Sequence, residues 1–351
     1  MVGPQSAGGG RLAELDALRG VAALAVVLFH FTTRFDQLYP QSSGLGWDFA
    51  HGHYGVNLFF IISGYVIFMT LDRTRTALDF VVSRLSRLYP AYWVSIALTF
   101  AVTHWLGLPG KLVSGTQALA NVQMFHGLWR VPNVDAAYWT LEVELLFYGW
   151  MLLLFALGRL HQVFIAVGAL LALRVVYWAA AQWAGVDLPF IVWRLLILDQ
   201  LPWFALGLAA HALLSPDPCG RRQVQARWLA GGAVAVLLLT VSQQRAMLAV
   251  ALAGLVYGAA SGRLPLLKLR LLVWLGAISY PLYLLHEFIG WSLMLQVLKS
   301  GGTPWQALGV ALAVTFGLAQ LVSMGIERPA MHVIRQRWKT RRLAPAPAAH
   351  V

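Results

Sequence analysis

Two ionisable residues in the first apolar stretch have the types and spacing expected of a reaction centre. Arg19 and His30 are eleven residues apart. At about 100° per residue, eleven steps return a helix to within about 20° of its starting direction, so both side chains lie on one face. A neutral histidine is a general base near neutral pH, and arginine binds phosphate. The pair predicts proton transfer near an anion site, but an interfacial arginine and a helix-packing histidine would have the same pattern.

A later apolar stretch contains two glutamates. Glu142 and Glu144 point about 200° apart on a helix, so only one of them can face the same interior as His30. Glu144 shares a helix face with Tyr148, one turn later. Ionisable residues inside a membrane span are costly and indicate function. Either glutamate can instead pair with an arginine and serve only the fold.

A third polar group follows near the end of the sequence. Ser279, Tyr283 and His286 stand at positions i, i+4 and i+7, which form one stripe on a helix. Pro281 removes a backbone donor and loosens the helix between them. The stripe is compatible with catalysis and equally with hydrogen bonds that hold helices together.

Other polar residues give weaker signals. Asn57 and Ser63 lie in the second apolar stretch, where close helix packing explains them at least as well as catalysis. His51, His53 and His126 fall in connecting segments, and their spacing matches no metal-ligand pattern. We therefore expect no metal site.

Composition identifies the environment in which these residues act. The 351 residues are 59% hydrophobic and 11% charged, whereas soluble domains have about 25% charged residues. The chain is therefore predicted to be an all-α integral membrane protein. About ten runs approach the roughly 20 residues that a span requires, and they lie near 15–34, 54–71, 90–108, 137–158, 162–184, 194–214, 228–243, 246–261, 270–297 and 305–326.

The net charge of +12 comes from short basic clusters between these runs. Such clusters indicate cytoplasmic loops or a site for a polyanionic cofactor, and they argue against nucleic-acid binding. Each even-numbered connection is basic, so both termini are predicted to be cytoplasmic, and the segment 109–136 reads as an outer loop. This topology places Arg19, Arg84 and Arg87 at the inner face. It places His30, Glu144 and His286 at a similar depth in the outer half.

Five stretches resemble the membrane acyltransferase family 3, which includes O-acetyltransferases of bacterial surface polysaccharides. The resemblance covers roughly residues 11 to 340. Its most specific parts are the Arg19–His30 spacing and the Trp-Thr-Leu-x-Val-Glu motif that ends at Glu144. The matching stretches are Leu15–His30 with Asp16 and Arg19, Gly55–Tyr65, Arg84–Pro90, Tyr138–Tyr148 and Ser279–His286, with Glu327-Arg328-Pro329 after the last span.

The resemblance implies particular roles for the matched residues. It implies that His30 is catalytic, with Glu144 and His286, and that Arg19 serves an acyl-CoA donor, whose phosphates would also meet Arg84 and Arg87. Many family members have serine where this chain has Glu142. A carboxylate such as Glu144 is expected to orient the imidazole, as in a triad. Supporting roles are expected for Asp16, Asn57, Ser63, Glu142, Tyr148, Ser279 and Tyr283.

The predicted protein is therefore an O-acyltransferase of the bacterial cytoplasmic membrane. Acyl-CoA, foremost acetyl-CoA, would be the donor substrate, with no permanently bound cofactor. A glycan or lipid-linked sugar would be the acceptor, and membrane lipids but no nucleic acid would be partners. The expected regions are a cytoplasmic segment 1–14, a ten-helix acyltransferase domain 15–327 and a basic cytoplasmic tail 328–351.

Two other functions fit part of the pattern. Buried histidine and glutamate also build proton relays in transporters, although the sequence has no visible inverted repeat. A non-enzymatic component of polysaccharide export is the second alternative. It would have no need for Arg19 and His30 on one helix face.

Overall fold

The computed structural model describes residues 9–40, 44–186 and 188–343, and these residues form helices and connections without a β-strand. The sequence explains this, since long apolar stretches in a membrane satisfy their backbone hydrogen bonds within helices. The α-helices are α1 Gly9–Phe29, α2 Phe35–Leu38, α3 Gly55–Arg73, α4 Ala77–Leu106, α5 Gly115–Asn121, α6 Trp139–Ala156, α7 Val163–Ala184, α8 Phe190–Leu195, α9 Leu201–Leu214, α10 Arg221–Thr240, α11 Gln243–Ala260, α12 Arg270–Leu285, α13 Glu287–Lys299, α14 Pro304–Val322 and α15 Arg328–Leu343.

Several of these helices are long and apolar enough to cross a membrane. By length and composition there are 5 in the described chain, and a sixth if the bent pair α12–α13 is one span. The chain is thus a multi-pass membrane protein. The other predicted spans coincide with helices that are shorter or less apolar, such as α9 with 14 residues, so ten spans and cytoplasmic termini stay predictions. The five helical segments are Ala13–Leu38, Ala50–Arg73, Ala136–Ala156, Leu160–Ala184 and Pro304–Arg342.

Glycines bring the central helices into backbone contact. A Cβ added to Gly20 of α1 would lie 2.5 Å from the backbone nitrogen of Gly276 in α12. A Cβ added to Gly207 of α9 would lie 2.0 Å from the carbonyl oxygen of Ile61 in α3. Small residues permit this close approach between membrane helices. The pairs α1–α12 and α3–α9 therefore hold the polar residues of four helices close together.

A 72° bend between α12 and α13 turns the chain at His286. Pro281 has no N–H to donate to the carbonyl of Ala277, and the Ser323 hydroxyl donates to that carbonyl at 3.0 Å instead. At the start of α13, the Asp135 carboxylate accepts the backbone N–H of Phe288 at 2.9 Å. The Ala277 carbonyl and the Phe288 N–H therefore both have hydrogen-bond partners inside the bundle, which stabilises the bend.

The helix α1 ends in a π-helical turn, His30–Arg34, that continues into α2. Such turns are frequent at functional sites because they widen the helix locally. The indole of Trp291 in α13 donates to the carbonyl oxygen of His30 at 2.8 Å. This contact ties the turn to the segment that follows the bend.

Two helices are longer than the apolar runs that they contain. The first helix begins at Gly9, before the run 15–34, and α4 begins at Ala77, before the run 90–108, and continues through Pro90. The predicted basic tail begins as α15, which packs on α4: Arg335 donates to the Ser83 carbonyl at 3.0 Å. Residues 344–351 of the predicted tail lie outside the described residues.

Replacing Gly207 by alanine should destabilise the protein, because the new Cβ has to push α3 and α9 apart. Overpacking of this kind costs about 1–3 kcal/mol. Gly231 of α10 is the matched control: nothing lies within 4 Å of its added Cβ, so Gly231→Ala should leave stability unchanged or raise it by about 1 kcal/mol. Thermal denaturation of the detergent-solubilised variants checks this. Equal melting temperatures for both would contradict the close α3–α9 contact.

The native Cys219 provides a test of orientation. It is exposed in the connection between α9 and α10, next to Arg221 and Arg222 at the start of α10, and these basic residues predict that the connection lies inside the cell. A membrane-impermeant maleimide should therefore label it only after the membrane is opened. In a Cys219→Ser background, Ser300→Cys, after α13, should be labelled in intact cells. Labelling of Cys219 in intact cells would reverse the inferred orientation.

Candidate active site

Two neighbouring cavities contain the polar residues that the sequence singles out. The large cavity has a volume of about 610 Å³ and is lined by His30, Asn57 and Glu287, among others. The small cavity, of about 70 Å³, is lined by Arg19, Arg87, Glu144, Tyr148 and Ser279, with further apolar residues. Val56, Phe60 and Tyr283 line both cavities. A single layer of side chains therefore separates the two.

His30 and His286 form a hydrogen-bonded pair at the wall of the large cavity. Nδ1 of His286 lies 2.9 Å from the Tyr283 carbonyl oxygen, which can only accept, so this nitrogen has the proton in the neutral ring. Nε2 of His286 is then an acceptor, 2.9 Å from Nδ1 of His30. Nδ1 of His30 also lies 3.0 Å from the Val26 carbonyl oxygen, so it is the donor. This chain leaves Nε2 of His30 with a free lone pair, which is the state of a general base.

The carboxylate beside this base is Glu287. Its Oε2 lies 3.6 Å from Nε2 of His30. The residue is only 3% exposed, and this oxygen has no hydrogen-bond partner among the described residues. A buried carboxylate oxygen without a hydrogen-bond partner is costly, and His30 is the basic group beside it. Sequence reasoning missed Glu287, although a glutamate inside the apolar run 270–297 was a visible signal.

Glu144 does not lie where the sequence analysis expected it. It was predicted to orient His30 at similar depth, but it lines the small cavity with Arg19 and Arg87. Its Oε1 accepts a hydrogen bond from the Ser63 hydroxyl at 2.7 Å and another from the Tyr148 hydroxyl. Glu144 lies on α6 one helical turn after Thr140. It is Thr140 that reaches the layer between the cavities, where its hydroxyl lies 2.9 Å from the hydroxyl of Tyr283. Glu287 therefore replaces Glu144 as the carboxylate at His30.

Glu142 forms a structural ion pair. It is 1% exposed, and its Oε1 accepts Nε of Arg194 at 2.7 Å. Gly127 gives this carboxylate room, since an added Cβ would lie 2.2 Å from Oε2. Glu142 and Glu144 therefore have different surroundings, as their spacing predicts. For Glu142, the contacts fit the interpretation that this glutamate pairs with an arginine and serves the fold.

The remaining predicted residues divide between the cavities and their walls. Asp16 pairs with Arg19 at 3.5 Å. Ser279 lines the small cavity while its hydroxyl donates to the Gly276 carbonyl at 2.8 Å. Arg84 lies behind the wall, with its guanidinium carbon 6.0 Å from the centre of the Phe80 ring. The predicted basic inner cluster is therefore present around and behind the small cavity.

Three side chains have the spacing to hold a metal ion. His30, His286 and Glu287 each offer one ligand atom, and these atoms lie within 4.8 Å of one another. An ion shared by the two histidines would have to displace the proton between them. The expectation that the protein has no resident metal stays a prediction.

Comparison with known proteins identifies the family. The family model described as an acyltransferase domain matches residues 12–324. The chain therefore belongs to this family, and it is an acyltransferase. No solved structure gives a significant match.

Three curated relatives are similar to parts or all of the chain. The exopolysaccharide production protein ExoZ of Rhizobium meliloti (strain 1021) is 29% identical over 118 residues, 32% of this chain and 37% of ExoZ. BcsY of Komagataeibacter xylinus, provisionally named a membrane-bound transacylase, is 29% identical over 226 residues, 59% of this chain and 52% of BcsY. Nodulation protein 10 of Rhizobium leguminosarum bv. viciae is 26% identical over 381 positions, with 95% and 96% of the two chains covered. The matches thus span about half or less of ExoZ and BcsY.

Glu287→Gln should slow acyl transfer without preventing donor binding. The amide keeps the shape but has no charge to stabilise a protonated His30, and such a charged contact contributes about 1.5–3 kcal/mol. Turnover should therefore fall by roughly 10- to 100-fold. Glu287→Asp should recover part of the loss. Unchanged turnover of correctly inserted Glu287→Gln protein would contradict a role for this carboxylate at His30.

Proposed function

We propose that the protein is an O-acyltransferase of the bacterial cytoplasmic membrane. It moves an acyl group, foremost acetyl, from acyl-CoA to a hydroxyl of a cell-envelope or exported glycan. The observation that supports this best is the state of His30: its contacts leave Nε2 unprotonated at a large cavity, 3.6 Å from a buried carboxylate. That arrangement suits removal of a hydroxyl proton.

The reaction follows from this geometry. Nε2 of His30 takes the proton of the acceptor hydroxyl while its oxygen attacks the thioester carbonyl. The C–S bond breaks, the thiolate leaves, and the proton on His30 finally passes to the thiolate sulfur. Glu287 stabilises the imidazolium that forms, and His286 holds the ring. Thiolate is a good leaving group, so the step proceeds with these side chains.

The small cavity suits the acyl end of the donor. Its volume of about 70 Å³ is far below the roughly 300–1,000 Å³ of ordinary ligand sites, so the nucleotide part of acyl-CoA must lie outside it. Arg19, Arg84 and Arg87 are the proposed partners of its phosphates. The guanidinium of Arg335, 3.2 Å from the Ser86 hydroxyl, adds charge on the same side. The acyl group would then meet His30 at the layer formed by Val56, Phe60 and Tyr283.

The large cavity suits a sugar acceptor. Its volume of about 610 Å³ is typical of ligand sites, which measure roughly 300–1,000 Å³. Polar groups from several helices line it, as a hydroxyl-rich ligand requires. ExoZ is named for exopolysaccharide production, and its similarity to this chain supports a polysaccharide acceptor.

His30→Gln should abolish most acyl transfer while preserving the fold. Glutamine can still form hydrogen bonds to neighbouring groups but has no nitrogen that accepts a proton near neutral pH, and loss of a general base costs roughly 10²–10⁴-fold in rate. Transfer of radiolabelled acetyl from acetyl-CoA to envelope glycan by purified protein measures this. Near wild-type turnover in this variant would show that His30 serves only packing.

Arg19→Gln, Arg84→Gln and Arg87→Gln should weaken donor binding. Each lost charge-assisted contact should cost about 1.5–3 kcal/mol. Titration of immobilised protein with acyl-CoA gives the dissociation constants. Arg221→Gln, an exposed change at the start of α10 and outside the small cavity, is the control and should bind normally. Wild-type affinity in all three variants would place the donor elsewhere.

A further inference from the structure

The large cavity has more positive charge than the acyl-transfer reaction uses. Arg34, Arg174 and Arg245 line it, together with the carboxylates of Asp199 and Glu287. These residues come from different parts of the chain, so their convergence on one cavity is a property of the fold. A neutral sugar would be bound by amides and hydroxyls and would have no need for three guanidinium groups.

Within the described residues, two of the three arginines form no salt bridge, and both of these are exposed. Arg174 is buried and pairs with Asp199 at 2.8 Å, and it also donates to the Leu198 carbonyl. Glu287 lies beside His30. Within the described part of the chain, Arg34 bonds only the side-chain oxygen of Gln37, at 3.0 Å. No described carboxylate lies within salt-bridge distance of Arg245.

The position of these two arginines is unusual for a membrane protein. Arg34 follows the first span, and Arg245 opens α11, both at ends that the charge pattern assigns to the outer side. Arginine is concentrated in cytoplasmic loops, so Arg34 and Arg245 run against this bias. Arg34 also lies in the same π-helical turn as His30. Its charge is thus close to the base.

From this charge pattern we infer that the acceptor is anionic. Arg34 and Arg245 bind a carboxylate of an acidic sugar or a phosphate of a lipid-linked sugar, and this contact presents a neighbouring hydroxyl to Nε2 of His30. Arginine suits both anions because its planar N–H groups match their oxygens. The inference rests on the proposed function and specifies its acceptor class.

The test compares matched acceptors. Purified protein in liposomes receives radiolabelled acetyl-CoA and oligosaccharides of equal length, either neutral or containing uronic acid, each free or joined to a lipid diphosphate. The wild type should have a kcat/KM for the anionic acceptor roughly 10- to 100-fold above that for the neutral one. A preference for uronic acid identifies the carboxylate as the anion, and a preference for the diphosphate identifies the phosphate. Equal use of neutral and anionic acceptors overturns the inference.

Substitution connects this preference to the two residues. Arg34→Gln and Arg245→Gln should each reduce the preference, mainly through KM, and Arg34→Lys should restore part of it. Arg130→Gln is the control, since Arg130 stacks over Phe190 at 4.7 Å and does not line the cavity. Its preference should equal that of the wild type. Retention of the preference in the double variant Arg34→Gln/Arg245→Gln overturns the inference.

A binding measurement separates this inference from the proposed function. Titration of the protein with a uronic-acid oligosaccharide and with a lipid-linked diphosphate sugar, without acetyl-CoA, should give affinities that fall with added salt and with the double substitution. If no acceptor becomes acetylated but this binding pattern is found, the proposed reaction fails and the anion site stands. If both anionic probes bind the wild type and the double variant equally, the anion site fails whatever the activity.

Discussion

The hydrogen bond between His286 and His30 is the interaction on which the site depends. It forms at the 72° bend between α12 and α13. Near this bend the Ser323 hydroxyl donates to the Ala277 carbonyl that Pro281 leaves free, and the Asp135 carboxylate accepts the Phe288 N–H. A bend inside a membrane protein is stable only where other groups satisfy the freed backbone. The structure meets this condition, and the result is a histidine pair whose proton positions follow from backbone carbonyls.

The carboxylates of the two cavities have different electrostatic surroundings. In the small cavity, Glu144 accepts two hydroxyl groups and lies near Arg19 and Arg87, so its charge is balanced. In the large cavity, Glu287 lies 3.6 Å from Nε2 of His30, and Arg34 lines the same cavity. Glu144 therefore has hydroxyl donors and guanidinium groups around it, whereas Glu287 lies at the histidine pair.

Sequence reasoning predicted the helical membrane fold and the family, and it selected both His30 and His286, which the structure brings together. Helical periodicity indicates which face a side chain occupies, and hydropathy indicates which segments are apolar. Sequence reasoning misassigned Glu144 and missed Glu287, because neither signal reveals which neighbouring helix a face meets. The contact at His30 depends on the direction of α13 after the bend, and that direction results from tertiary hydrogen bonds.

The protonation of His30 tests this account most directly. Nitrogen NMR of protein labelled with ¹⁵N-histidine distinguishes a ring nitrogen with a proton from one with a free lone pair, and the His30→Gln variant identifies the His30 signals. In the neutral state, the account predicts a proton on Nδ1 and a lone pair on Nε2, with a coupling or exchange contact to Nε2 of His286. A resting state with the proton on Nε2 of His30 and a bare Nδ1 would contradict it.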